Sequence, residues 1–221
     1  MSHPDPRPPE TPRWQRRPEE RPEEILDAAL GVFGRCGFAP ARLEEVAREA
    51  GVSKGTLYRY FASKEDLFRA MVRAKVVTCV VAGEEYVRQY YGSATELLVD
   101  LMRRLWETVS RPEVIRIARL VQGELGRFPE LARFYYEEVI LPSRRLFEQA
   151  LERGLASGEF RQLAHAATAR AIASLLVHSA QSQAFFSVYD PNALDGERLF
   201  EGIVDLVLDG VRARPPAVTT D

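Results

Sequence analysis

Apolar residues return every three to four positions along most of this chain, and no stretch alternates in the way a strand requires. The pattern predicts an all-α protein. Ile25, Ala28, Ala29, Val32 and Phe33 mark one face of a helix over residues 22–36, which Gly34 and Gly37 loosen and end. Leu43, Val46 and Ala47 mark a second helix over 42–50, stopped by Gly51. Ser53 and Ser63 stand where N-caps belong, ahead of a short helix over 54–61 and a long one over 64–91. Ser63-Lys64-Glu65-Asp66 approximates a capping box, with Asp in place of the preferred Glu. Further helices are expected over 95–110, 112–126, 129–156, 163–188 and 195–212, with Pro142 kinking or splitting the third of these.

The helix over 54–61 is unusual. It buries Leu57 and Phe61 but offers Lys, Thr and Tyr outward. Helix, tight glycine turn and short polar helix make a helix-turn-helix, and the DNA major groove is wide enough to admit such a helix. Charge agrees mildly. Residues 1–75 hold fourteen Lys and Arg against twelve Asp and Glu, a net of +2, and the other 146 residues carry a net of −4.

Ile25-Leu26-Asp27-Ala28-Ala29, Phe33, Gly37-Phe38, the run from Val46 to Phe61 and Lys64-Glu65-Asp66-Leu67 together resemble the DNA-binding domain of the TetR/AcrR family of bacterial transcriptional repressors. The resemblance is specific over residues 22–68 and architectural beyond. It implies an N-terminal three-helix helix-turn-helix domain, joined by a long helix to a larger all-helical domain that binds an effector and dimerises. The expected division is a disordered arm at 1–20, a DNA-binding domain at 21–68, an effector-binding and dimerisation domain at 69–212 and a flexible tail at 213–221. The arm is a solvated tail or a basic segment that follows the DNA backbone.

The resemblance also implies roles. Lys54, Gly55, Thr56, Tyr58 and Tyr60 fall where the family meets DNA; Lys64 opens the next helix, where its charge and the backbone N–H groups hold a phosphate. Ser53 caps the recognition helix and Arg59 is a candidate base reader. Before helix two the family carries Thr or Ser as a cap, and here Ala41-Arg42 stand there. The lost cap costs about 1 kcal/mol, and Arg42 replaces its phosphate contact with a charge. The implied partner is double-stranded DNA with a palindromic operator.

In the C-terminal part the helices over 163–188 and 195–212 are apolar on more than one face. Either the monomer core is thick or a second copy packs there as a homodimer. Similar domains hold a pocket for a small apolar or aromatic effector. Met102, Trp106, Tyr135 and His178 are the candidate lining, each with core packing as the alternative. Operator binding without a ligand trigger, or activation in place of repression, are the competing readings. Cys36 and Cys79 read as reduced, largely buried thiols. No metal spacing, cofactor motif, catalytic constellation or membrane-spanning run is present in the sequence, so the expectation is a cytoplasmic regulator and not an enzyme.

Overall fold

The structure, a computed structural model, describes residues 21–213. The expected arm and nearly all of the tail lie outside these residues. The regular elements of the described residues are all helical, apart from one antiparallel bridge between Phe160 and Arg212. In order the helices are α1 (Arg21–Cys36), α2 (Leu43–Glu49), α3 (Lys54–Tyr60), α4 (Lys64–Val72), α5 (Thr78–Arg88), α6 (Ala94–Val109), α7 (Pro112–Glu124), α8 (Pro129–Tyr135), α9 (Leu141–Ser157), α10 (His165–Phe186) and α11 (Gly196–Val211).

The local causes are mostly those expected. Glu23 and Glu24 favour the positive end of α1. Gly51, at φ +64°, makes the turn between α2 and α3 in a conformation that costs other residues more. The Ser53 and Ser63 hydroxyls accept from the Thr56 and Asp66 N–H groups, each at 3.0 Å. Arg42 precedes α2 with no side-chain cap. A full capping box that sequence reasoning missed starts α6, where Ser93 and Glu96 bond each other's backbone N–H.

The long connection over 64–91 is one helical path with a fault in the middle. Residues Arg73–Val77 form a π turn, in which the Thr78 N–H reaches back five residues to the Arg73 carbonyl. The Thr78 hydroxyl takes over the Ala74 carbonyl at 3.1 Å, and Arg111 takes the Lys75 carbonyl at 2.9 Å. A second π turn, Tyr136–Ile140, splits the segment expected over 129–156. Its cause is legible. Pro142 lacks the N–H that the Glu138 carbonyl would accept, so the ladder shifts just before it. The Ser143 hydroxyl donates to Val139 O at 2.7 Å.

Two apolar cores result. The first joins α1–α4 to α7, α8 and both π turns. The Phe38 ring is central to it, 5.4 Å from Phe33, 5.6 Å from Phe68 and 4.9 Å from Phe128. The expected division after residue 68 therefore falls inside a shared core. The second core packs α6, α9, α10 and α11. There Phe160 lies so close to Gly154 that an added Cβ would sit 1.9 Å from its ring, so only glycine fits. Neither cysteine is buried as expected. Cys36 is exposed at the end of α1 and Cys79 is half-buried.

Candidate nucleic-acid interface and effector cavity

Helix α3 is pinned from below and open above. Leu57 and Phe61 are buried against the first core. Arg42, Ser53, Lys54, Gly55, Tyr58 and Arg59 are exposed; Thr56, Tyr60 and Lys64 are half-buried. None of the nine predicted residues is buried, and they lie on α3 or on the segments that flank it. A Cβ on Gly55 would meet only Ser53 Oγ, at 3.9 Å. Among the described residues, no internal packing demands a glycine there.

Several of these groups are already engaged. Lys54 Nζ lies 2.5 Å from Glu44 of α2 and 5.6 Å from the Tyr58 ring centre. Hydrogen bonding between the two holds the Glu44 carboxyl below its ordinary range and raises the Lys54 ammonium. The Ser53 and Thr56 hydroxyls bond each other at 2.8 Å. Arg59 stacks 5.2 Å from the Tyr60 ring centre. The Lys64 ammonium donates to the Phe38 and Ala39 carbonyls at 3.1 and 2.8 Å and sits 4.8 Å from the Phe38 ring centre. Lys64 therefore staples the α1–α2 turn, and two of its three N–H groups are committed before any phosphate arrives.

A cavity of about 320 Å3, partly open to solvent, lies between α5, α6, α7, α9 and α10, with the end of α8 reaching it through Tyr135. Both π turns contribute to its wall, through Val76 on one and Val139 and Ile140 on the other. The wall is mainly apolar. Its polar groups include Arg104, Arg144, Ser143 and Tyr135, and the Gln122 amide, which donates to Gln181 at 2.8 Å. Burial pushes the Tyr135 phenol up to about 12, so it stays neutral and can donate a hydrogen bond.

Of the four residues expected to line a pocket, only Tyr135 does so. Trp106 and Met102 are buried in the second core, with Trp106 5.9 Å from the Phe200 ring centre of α11. His178 is exposed. Helix geometry gives the reason. On α6 the cavity face is Leu101, Arg104, Leu105 and Thr108, and Met102 and Trp106 lie about 100° further round. On α10 the cavity takes Ala173, Val177 and Gln181, and His178 is one step beyond Val177. Arg104 and Arg144 carried no sequence signal, because a charge beside an apolar stripe ordinarily marks the solvated edge of a helix.

A profile of bacterial regulatory proteins of the tetR family matches residues 25–71. A second profile, of the C-terminal domain of AefR-like transcriptional repressors, matches residues 96–210, more than half of the chain. The chain belongs to the TetR family. As a TetR-family protein it is a DNA-binding transcriptional regulator and not an enzyme, and the helix-turn-helix is its DNA-binding element. The fatty acid metabolism regulator protein of Bacillus subtilis (strain 168) is 26% identical over 148 residues, which are 67% of this chain and 74% of that protein. The HTH-type transcriptional repressor KstR2 of Mycolicibacterium smegmatis is 27% identical over 156 residues, 69% of this chain and 72% of that one. The solved structure of FadR from Bacillus subtilis in complex with stearoyl-CoA shares the fold, with a TM-score of 0.69 over 86% of this chain and 99% of that one at 21% identity. Among the described residues no helix of this TetR-family chain is long and apolar enough to cross a membrane, and no three His, Cys, Asp or Glu gather as a metal site.

Proposed function

We propose that this TetR-family protein is a homodimeric repressor of the cytoplasm that leaves a palindromic operator when a small, largely apolar effector enters the cavity. The observation that carries the reading is the exposed face of α3, with Lys54, Gly55, Tyr58 and Arg59 standing on buried Leu57. Lys54 and Arg59 suit base edges, the Tyr58 phenol suits a phosphate or a thymine methyl, and Arg42 suits a phosphate. Lys64 has one N–H left for the same backbone.

A dimer gives two copies of α3 that meet half-sites about 34 Å apart. The outward side of α10 and α11 supports it. Leu206 is 66% exposed in the single chain, next to an apolar groove lined by Ala167, Ala171, Leu175 and Gly210. Effector control rests on continuity. Val76, Cys79, Val80 and Gly83 of one helical path line the cavity, and that path begins at Lys64 beside α3. A ligand that fits the cavity better in one arrangement of these helices than in another shifts the spacing of the two α3 helices and weakens operator binding.

Selection of duplexes from a random pool with the full-length protein tests this reading. The expected product is an inverted repeat with half-site centres about one helical turn apart. Recovery of single, unpaired half-sites would overturn the dimeric reading.

A further inference from the structure

We propose that the cavity takes an anionic amphiphile, a molecule with an apolar chain or ring system and one carboxylate or phosphate end. This deepens the effector reading and rests on it. The observation is an imbalance of charge in the wall: among the described residues that line it there are two arginines, Arg104 and Arg144, and no Asp or Glu.

Other arginines of the same region are bonded to oxygen. Arg73 is bidentate to Glu138 at 2.7 and 2.5 Å, Arg103 is bidentate to Glu197 at 2.7 and 2.6 Å, and Arg153 bonds the Tyr90 carbonyl at 3.0 Å. Arg104 and Arg144 make no ion pair among the described residues. Arg104 instead leans on an aromatic face, 3.8 Å from the Tyr86 ring centre, and Arg144 lies 6.0 Å from the Tyr136 ring centre. Asp100, one turn before Arg104, bonds the Tyr86 hydroxyl. Stacking fixes the Arg104 guanidinium in orientation, and a guanidinium has five N–H donors in a plane, a geometry that receives a carboxylate or phosphate.

The placement fits an amphiphile. Arg104 is exposed and Arg144 half-buried, so the charges stand at the solvent side of the cavity. Leu101, Val114, Val139 and Phe147, which line the rest of it, are buried. A neutral apolar ligand would fill that end and leave both guanidinium groups unused. A cationic one would meet two like charges.

Calorimetric titration of the full-length protein with decanoate, decanol and decanoyl-CoA tests the inference. The first and third probes separate a free carboxylate from a phosphate-bearing carrier. The better anion should bind about ten- to a hundredfold more tightly than decanol, the range for a charge-assisted hydrogen bond. In the double variant Arg104→Gln, Arg144→Gln the preference should vanish while decanol affinity stays. Decanol binding as tightly as both anions, a preference that survives in the folded double variant, or no binding by any of the three would each overturn the inference. If the variant does not fold, by circular dichroism, the comparison on the unsubstituted protein decides alone. Operator affinity followed in the same titrations reports separately on the effector reading: an anion that binds without changing it overturns ligand control and leaves the anionic class of ligand standing.

Discussion

Leu206→Arg should separate the proposed dimer without unfolding the chain. Leu206 lies on α11 but points away from the second core, with 66% of its surface exposed in the single chain. Ile203, three residues earlier, is only 5% exposed, so an arginine there would unfold the protein and say nothing of assembly. Full burial of a leucine is worth about 1.5–3 kcal/mol. Two-thirds of that, counted twice because a two-fold axis repeats every change, gives about 2–4 kcal/mol. The dimer dissociation constant should therefore rise about thirty- to several-hundredfold, before the added cost of burying two unpaired guanidinium groups. Sedimentation velocity over a range of concentrations measures the constant, and the far-ultraviolet dichroism of the variant should match that of the parent. Operator affinity should fall with dimer content. A variant that dimerises as tightly as the parent would place the interface elsewhere, and a parent that is a folded monomer at operator-binding concentrations would remove the dimer altogether.

Lys64→Ala should lower the thermal midpoint, because it frees the Phe38 and Ala39 carbonyls, and should also reduce the slope of log affinity against log salt by about one unit per half-site; an unchanged slope beside a lower midpoint would leave Lys64 a staple only. Arg59→Ala should relax the preference at one base pair of the selected operator, by about 1–3 kcal/mol, whereas Arg42→Ala should weaken all sequences alike. Gly154→Ala drives a methyl into Phe160 and should destabilise by about 1–3 kcal/mol in urea melts. Glu159 supplies a pH test. Burial would raise its carboxyl, but the Ala94 and Thr95 N–H groups and the Thr95 and Ser157 hydroxyls hold it down to about 2 from 4.5. A depressed carboxyl stabilises the fold above its unfolded value and loses that contribution as pH falls from about 4.5 toward 2. The stability gap between parent and Glu159→Gln should thus be full at pH 7 and shrink across that window, and a gap independent of pH would refute the assignment.

The DNA-binding end was the legible part of the sequence, because its evidence is local. Capping serines, a turn glycine and a seven-residue helix with two buried anchors are all contained within residues 51–68. The cavity was not legible in the same way. Its wall is assembled from six helices and two π turns, and a 100° difference between neighbouring positions decides whether Trp106 or Leu105, His178 or Val177 faces it. Hydrophobic periodicity shows that a helix has an apolar face but not which neighbour that face meets. The shared core around Phe38 was hidden for a related reason, since Phe128 reaches it from ninety residues away in the chain. Pro142 announced its own fault in the ladder, whereas nothing in Arg73-Ala74-Lys75-Val76-Val77 announces the other one.

That second fault changes what the connecting helix can transmit. A straight α-rod from the cavity to α3 would pass on a push only as a shift along or across its axis. With one residue of slack held between Arg73 and Thr78, the segment has a discrete alternative. Expelling the extra residue to either side would turn the two halves of the rod about 100° relative to each other. The Thr78 hydroxyl and Arg111 hold the slack where it is by bonding the carbonyls it strands, and Cys79, next in the chain, faces the cavity and lies 3.1 Å from the same arginine. The joint between the cavity and α3 is in this sense a latch with a tooth, set at the height of the cavity wall.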